Sequence, residues 1–205
     1  MMGKTMRLIS LLFLSAGLVA CATGTGPDAA RRFTEFEAVT TSDFRGYDRV
    51  HLVMPVAGEE IIERIDRRQL GRSAIAERPL GEEDITRALT RLDGDLRREL
   101  GPVVTLVETP GPGILTIEPV LIDLDANRPT MTELSFQPQL SMMSISAGDA
   151  EVIYRFSEDG RLLATARDRD IEETLGQIPP VAGIWDTADR FFDLTARRMR
   201  ALLSD

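Results

Sequence analysis

The chain has 205 residues, enough for one domain with a proper core. Its 33 acidic and 24 basic side chains leave a formal charge of −9, which excludes recognition of nucleic acid or anionic lipid through a broad positive field. A single cysteine excludes an internal disulfide, and a single histidine leaves too few ligands for a zinc site.

The first twenty residues have the three-part layout of a secretory signal. Lys4 and Arg7 supply the positive region, and Leu8 to Val19 is an apolar run too short for a stable membrane span. The run ends in Leu18-Val19-Ala20-Cys21, which resembles the bacterial lipobox. That resemblance implies diacylglycerol on the Cys21 thiol and cleavage just before it. A second or third acyl chain would make the anchor permanent, each buried methylene contributing about 0.8 kcal/mol. Ala22, where many such proteins carry an inner-membrane aspartate, points to the outer membrane and a periplasm-facing domain. An ordinary signal with Cys21 as a stray thiol is the competing reading. Residues 1–20 are thus read as signal and 21–30 as a flexible lipidated tether, since Ala22 to Asp28 is small, polar and breaker-rich. Residues 31–205 are read as one domain.

Within that domain, Val50 to Val56 alternates and predicts a strand with Val50, Leu52, Met54 and Val56 on one face. Gly58 to Gly81 is charged and irregular, with a short helix expected around Glu60 to Gln69. Asp84 to Leu100 predicts a helix, because Ile85, Leu89, Leu92, Leu96 and Leu100 make one apolar stripe. Acids at its start favour the macrodipole, Gly101 is placed for a left-handed cap, and Pro102 cannot continue it. Gly94 weakens it by about 1 kcal/mol relative to alanine. Val103 to Val107 and Ile114 to Leu124 read as strands, with Pro119 marking an edge or a bulge. Glu151 to Phe156 alternates and turns at Glu158-Asp159-Gly160 into Arg161 to Arg169. Asp186 can cap a last helix that buries Ala188, Phe192, Thr195, Met199 and Leu202, flanked by Phe191 and Leu203. The expected fold is α+β: a mostly antiparallel sheet of about five strands with two amphipathic helices packed on one face.

The order of several short segments carries a wider resemblance. Tyr47-Asp48-Arg49-Val50 leads to Pro55-Val56, and Gly111-Pro112-Gly113-Ile114-Leu115 leads to Leu121-Ile122-Asp123. Ala126-Asn127-Arg128-Pro129, Ala150-Glu151-Val152, Gly160-Arg161-Leu162-Leu163-Ala164 and Trp185-Asp186 follow. This pattern is similar to the Gram-negative lipoproteins grouped as domain of unknown function 3313, over most of the chain after the signal. The turn at Phe156 to Gly160 and the Gly58 to Gly81 segment depart from it. The resemblance implies a lipobox and an envelope location; it implies no activity, substrate or catalytic residue.

A chemical site is hard to assemble from these residues. His51 lies inside the first strand, where a structural role outweighs that of a base. Asp123-Leu124-Asp125-Ala126-Asn127 begins like a calcium loop, but Arg128 stands where glycine belongs and Leu134 where the bidentate glutamate belongs. Asp168, Asp170, Glu172 and Glu173 alternate with Arg167 and Arg169, the mark of a solvated face. No catalytic, cofactor or metal site is expected. One segment is unusual: Met131 to Gly148 carries Met131, Leu134, Phe136, Leu140, Met142 and Met143 with hardly any charge. It is expected either to pack as an extra strand or flap, or to offer an adaptable surface to a protein or lipid. The leading expectation is a non-catalytic, lipid-anchored envelope protein that binds or supports another envelope component. A lipid or small-ligand binder is the alternative, and a carboxylate-based hydrolase the weaker one.

Overall fold

The structure, a computed structural model, describes residues 32–39, 43–69, 80–136, 139, 141, 148–171 and 183–204, without the side chains of 66–69, 136, 170 and 171. The signal, Cys21 and the tether, along with Leu140, Met142, Met143, Glu172 and Glu173, lie outside these residues.

Among the described residues, seven strands form one mixed sheet: β1 (Glu35–Ala38), β2 (Arg49–Leu52), β3 (Val56–Ala57), β4 (Thr105–Leu106), β5 (Leu115–Asp125), β6 (Asp149–Glu158) and β7 (Arg161–Ile171). Their order is β1-β7-β6-β5-β2-β4, with β3 pairing β5 beyond β2. Four helices accompany them among the described residues: α1 (Glu59–Gln69), α2 (Glu82–Leu100), α3 (Met131–Phe136) and α4 (Asp186–Ser204). The α+β class is as expected, but the sheet is larger and not mostly antiparallel on its β2 side. There β2 runs parallel to β4 and β5, and β3 parallel to β5. Short strands followed by long returns through α1 and α2 bring the chain back in the same direction, which alternation alone does not reveal.

The strand expected over Val50 to Val56 is split. Val50 and Leu52 enter the core, whereas Met54 and Val56 are 49% and 53% exposed. The reason lies across the ladder. Ile117 O accepts from Val53 N and Leu121 O from Gly58 N, so β5 turns its 117, 119 and 121 backbone groups toward β2 and β3. Pro119 has no N–H to offer there, and it falls in the gap between the two short strands. Pro119 is therefore not on an edge strand: β5 is central, pairing β6 along its length with a bulge between Leu121 and Asp123.

The core lies between one sheet face and the helices α2 and α4. Val152, Tyr154 and Phe156 from β6 are fully buried, as are Leu92, Leu96 and Leu100 from α2 and Phe191, Phe192 and Met199 from α4. The apolar stripes read from the sequence are thus the packing faces of both helices, Leu89 alone being only partly buried. Phe44, held in a 3-10 turn at 44–46, reaches Phe156 at 5.1 Å between ring centroids, and Phe33 meets Tyr154 edge-on. Those contacts fasten the first described residues to the middle of the sheet.

Two helix ends differ from expectation. Gly101 is right-handed (φ −52°, ψ −34°) and bonds Arg97 O, so α2 ends by running into a turn before Pro102 has any cap to follow. Asp186 is the first residue of α4, and its carboxylate accepts from Gly183 N at 2.6 Å. The hairpin after β6 is as read: Asp159 (φ 49°) and Gly160 (φ 76°) both take the left-handed region that a two-residue turn requires.

Candidate functional site

Opposite the core, the second face of the sheet carries charge at one end. Three strands each place two charged residues two apart: Asp123 and Asp125 on β5, Asp149 and Glu151 on β6, Arg167 and Arg169 on β7. Asp123, Glu151 and Arg169 are register partners, and Asp125 faces Asp149. Because side chains alternate along a strand, all six share this face while Leu124, Ala150 and Asp168 turn to the core. Helix α1 lies over the same end and lowers Arg64 onto the acids. Arg64 Nη1 bonds Asp123 Oδ1 at 2.9 Å and Nη2 bonds Asp125 Oδ1 at 2.7 Å, with the arginine nearly buried. Arg169 donates to Asp149 Oδ2, and Arg167 to Glu151.

Four carboxylates therefore face three guanidiniums, which leaves one negative charge in excess when all are ionised. Burial, opposed in part by Arg169, pushes the Asp149 carboxyl up to about 6, with Asp123 adding repulsion. A sequence signal for this group existed in the repeated charge at i and i+2, but its three parts lie far apart in the chain. Nothing local in the sequence marks Asp149, Glu151 and Arg64 as one group; strand pairing brings the first two beside β5, and α1 crossing the same face adds Arg64.

The calcium-loop reading of Asp123 and Asp125 is displaced by this geometry, since both carboxylates turn to the Arg64 guanidinium. Among the described residues, no group of three or more His, Cys, Asp or Glu side chains is placed to hold a metal ion. Asp168 corrects the solvated-face reading of its run. It is fully buried under α4, where Arg198 Nη1 meets Oδ1 at 2.5 Å, and Thr34 also approaches that oxygen. Beside it the Tyr154 hydroxyl lies 3.1 Å from Thr195 Oγ1, and burial pushes this phenol far above its ordinary range. Asp123 and Asp168 thus stand on opposite faces of the sheet, and no common cleft joins them as a hydrolytic pair would need.

His51 Nδ1 lies 3.1 Å from the Val107 carbonyl, an acceptor, so this nitrogen carries the proton and ties β2 to the end of β4. A groove of about 870 Å3 runs along the outer side of α2, lined by Glu82, Arg87, Arg91, Gly94 and Arg98 among others. Its arginines are already engaged: Arg87 with Asp189, Arg91 with Asp95, and Arg98 with Asp95 and Asp193. This is an ion-pair ladder joining α2 to α4.

The apolar segment starts as α3, a short helix over Met131–Phe136, while residues 137–138, 140 and 142–147, where the extra strand or flap is expected, lie outside the described residues. Met131 is 73% exposed there, and Leu134 is partly buried. Phe136 closes the helix with its side chain outside the described set. No helix among the described residues is long and apolar enough to cross a membrane.

No family model matches the chain, and no curated protein matches it. Among solved structures it is similar to PelC from Paraburkholderia phytofirmans, in two dodecamer crystals. One, of a point variant, has a TM-score of 0.40 at 10% identity and covers 76% of this chain and 88% of that one. The other has a TM-score of 0.39 at 8% identity, covering 81% and 95%. At this distance neither PelC's assembly nor its role is carried over.

Proposed function

We propose that this chain is a lipoprotein of the Gram-negative envelope, anchored through Cys21 in the outer membrane and facing the periplasm, where it serves as a non-catalytic binding or accessory module for another envelope component. The observation that carries this reading is the position of Cys21. It is the only cysteine, it closes a signal-like apolar run, and it precedes by about a dozen residues Phe33, the first buried one among the described residues. That length spans up to about 40 Å when extended, so a lipid at Cys21 would hold the domain close to the bilayer and raise its local concentration near membrane-bound partners. The resemblance to the domain of unknown function 3313 lipoproteins supports the same location. For the partner surface, Met131 on α3 is the exposed start of the Met131 to Gly148 segment.

Metabolic labelling with a palmitate analogue in a Gram-negative host tests the anchor: the full chain takes up label and Cys21→Ser does not. Label on the serine variant, or none on the parent, removes the proposal. A photo-cross-linker placed at Met131 tests the surface, which predicts a discrete cross-linked envelope species that is lost when Met142 and Met143 are both changed to Asp in a protein that still folds.

A further inference from the structure

The charged end of the sheet sets acid against acid twice. Asp123 stands across from Glu151, and Asp125 across from Asp149. Like charges directly opposite in a sheet are destabilising, and a merely structural β5–β6 pair has no need of two such couples in succession. The surrounding cations come from two sides: Arg64 of α1 on Asp123 and Asp125, and Arg167 and Arg169 of β7 on Glu151 and Asp149. Glu60 of α1 and Glu35 of β1 add further negative charge near Arg167.

Asp149 is the least satisfied of the four acids. Its Oδ2 receives both Nε and Nη2 of Arg169, at 3.3 and 2.9 Å. Its Oδ1 is shut away from solvent with no hydrogen-bond partner, and the Ala150 N–H beside the carboxyl offsets little of its burial. An ionised carboxylate in that position bears the cost of a buried, unbonded oxygen together with the charge of Asp125 opposite. A proton on Asp149 removes the charge that faces Asp125 and weakens its hold on Arg169, which keeps Glu151, whose Oε2 already lies 3.5 Å from the Arg169 Nε.

We propose that Asp149 is a proton-operated latch, which on mild acidification closes the Asp125–Asp149 end of the β5–β6 pair. The direction follows from the raised carboxyl. In the fold the group takes up its proton near pH 6, while in the unfolded chain it does so near 3.8, so the stabilisation is complete below 3.8 and is lost as pH rises through about 6. The latch operates whether or not the chain is lipidated, and it would make an envelope domain respond to mildly acidic surroundings.

Carboxyl-carbon NMR of the purified chain reads the titration of Asp149 directly, with assignment by the Asp149→Asn spectrum. Hydrogen exchange, corrected for intrinsic rates, reads the latch. Amides of β5 and β6 near residues 123–125 and 149–151 should be protected about fivefold more at about pH 5 than at about pH 7.5. Asp149→Asn should show the higher protection at both. A midpoint in the ordinary carboxylate range, or a pH effect that survives in Asp149→Asn, overturns the proposal. If that variant fails to fold, the wild-type exchange still decides: equal protection at the two pH values overturns the latch.

Discussion

Asn127 grips Thr187 with both ends of its amide. Nδ2 donates to Thr187 Oγ1 at 2.8 Å, and Oδ1 accepts from Thr187 N at 2.8 Å. The backbone donor fixes which end is oxygen. Asn127 N also bonds Ile184 O, so the end of β5 holds the entry to α4 at three points. Asn127 and Thr187 are buried, and Gly148 presses against them: a Cβ there would lie 2.8 Å from Asn127 Nδ2 and 2.8 Å from Thr187 Cβ.

Asn127→Leu therefore removes the side-chain acceptor of the buried Thr187 N–H and the donor to its hydroxyl. A loss of about 2–3 kcal/mol is expected in urea unfolding, against less than half that for an exposed Asn or Asp change. Gly148→Ala should destabilise through the same clasp, and its effect should be less than additive with Asn127→Leu.

Asp168 and Arg198 make the other buried anchor of α4. Arg198→Met removes the guanidinium from a fully buried carboxylate and should cost roughly 3 kcal/mol. Asp168→Asn combined with Arg198→Met should recover a good part of that loss. A double-mutant cycle by denaturant titration gives the coupling, and simple additivity would show the pair to be incidental.

Gly94 offers a gain. It lies within α2, and an added Cβ would meet nothing within 4 Å. Gly94→Ala should raise stability by about 1 kcal/mol, seen as a higher urea midpoint at unchanged slope.

Both tyrosines titrate late. Burial, then Glu158, raises Tyr47; burial, opposed by Thr195, raises Tyr154. An ultraviolet titration of the folded chain should show little tyrosinate at about pH 10, where free tyrosine is half ionised. The stability tied to the neutral Tyr154 phenol is present below that pH and is lost as pH rises through its raised midpoint, so its ionisation should coincide with alkaline unfolding. A normal midpoint for either ring would contradict its packing.

Much of the fold is legible in local pattern. The stripes of α2 and α4 follow from 3.6-residue spacing, and the β6–β7 hairpin from alternation around Asp159 and Gly160. The charged end of the sheet is not legible in the same way. Asp123, Asp149 and Arg169 become neighbours only through strand pairing, and Arg64 joins them only because α1 crosses the second face. Pro119 shows the same limit: its ring marks an irregular strand, but whether the missing N–H faces solvent or a gap beside β5 depends on where β2 and β3 end.

What the sequence determined by itself was the class of the domain, the helices α1, α2 and α4, the β6–β7 hairpin, and the lone cysteine at the close of a signal-like run. These rest on periodicity, composition and covalent chemistry, all properties of neighbouring residues. Tertiary structure alone decided the parallel arm of the sheet, the burial of Asp168, the Asn127 clasp and the facing acids Asp125 and Asp149. Each depends on which strands lie side by side and which face a helix covers, and those distances between residues remote in the chain exist only once it has folded.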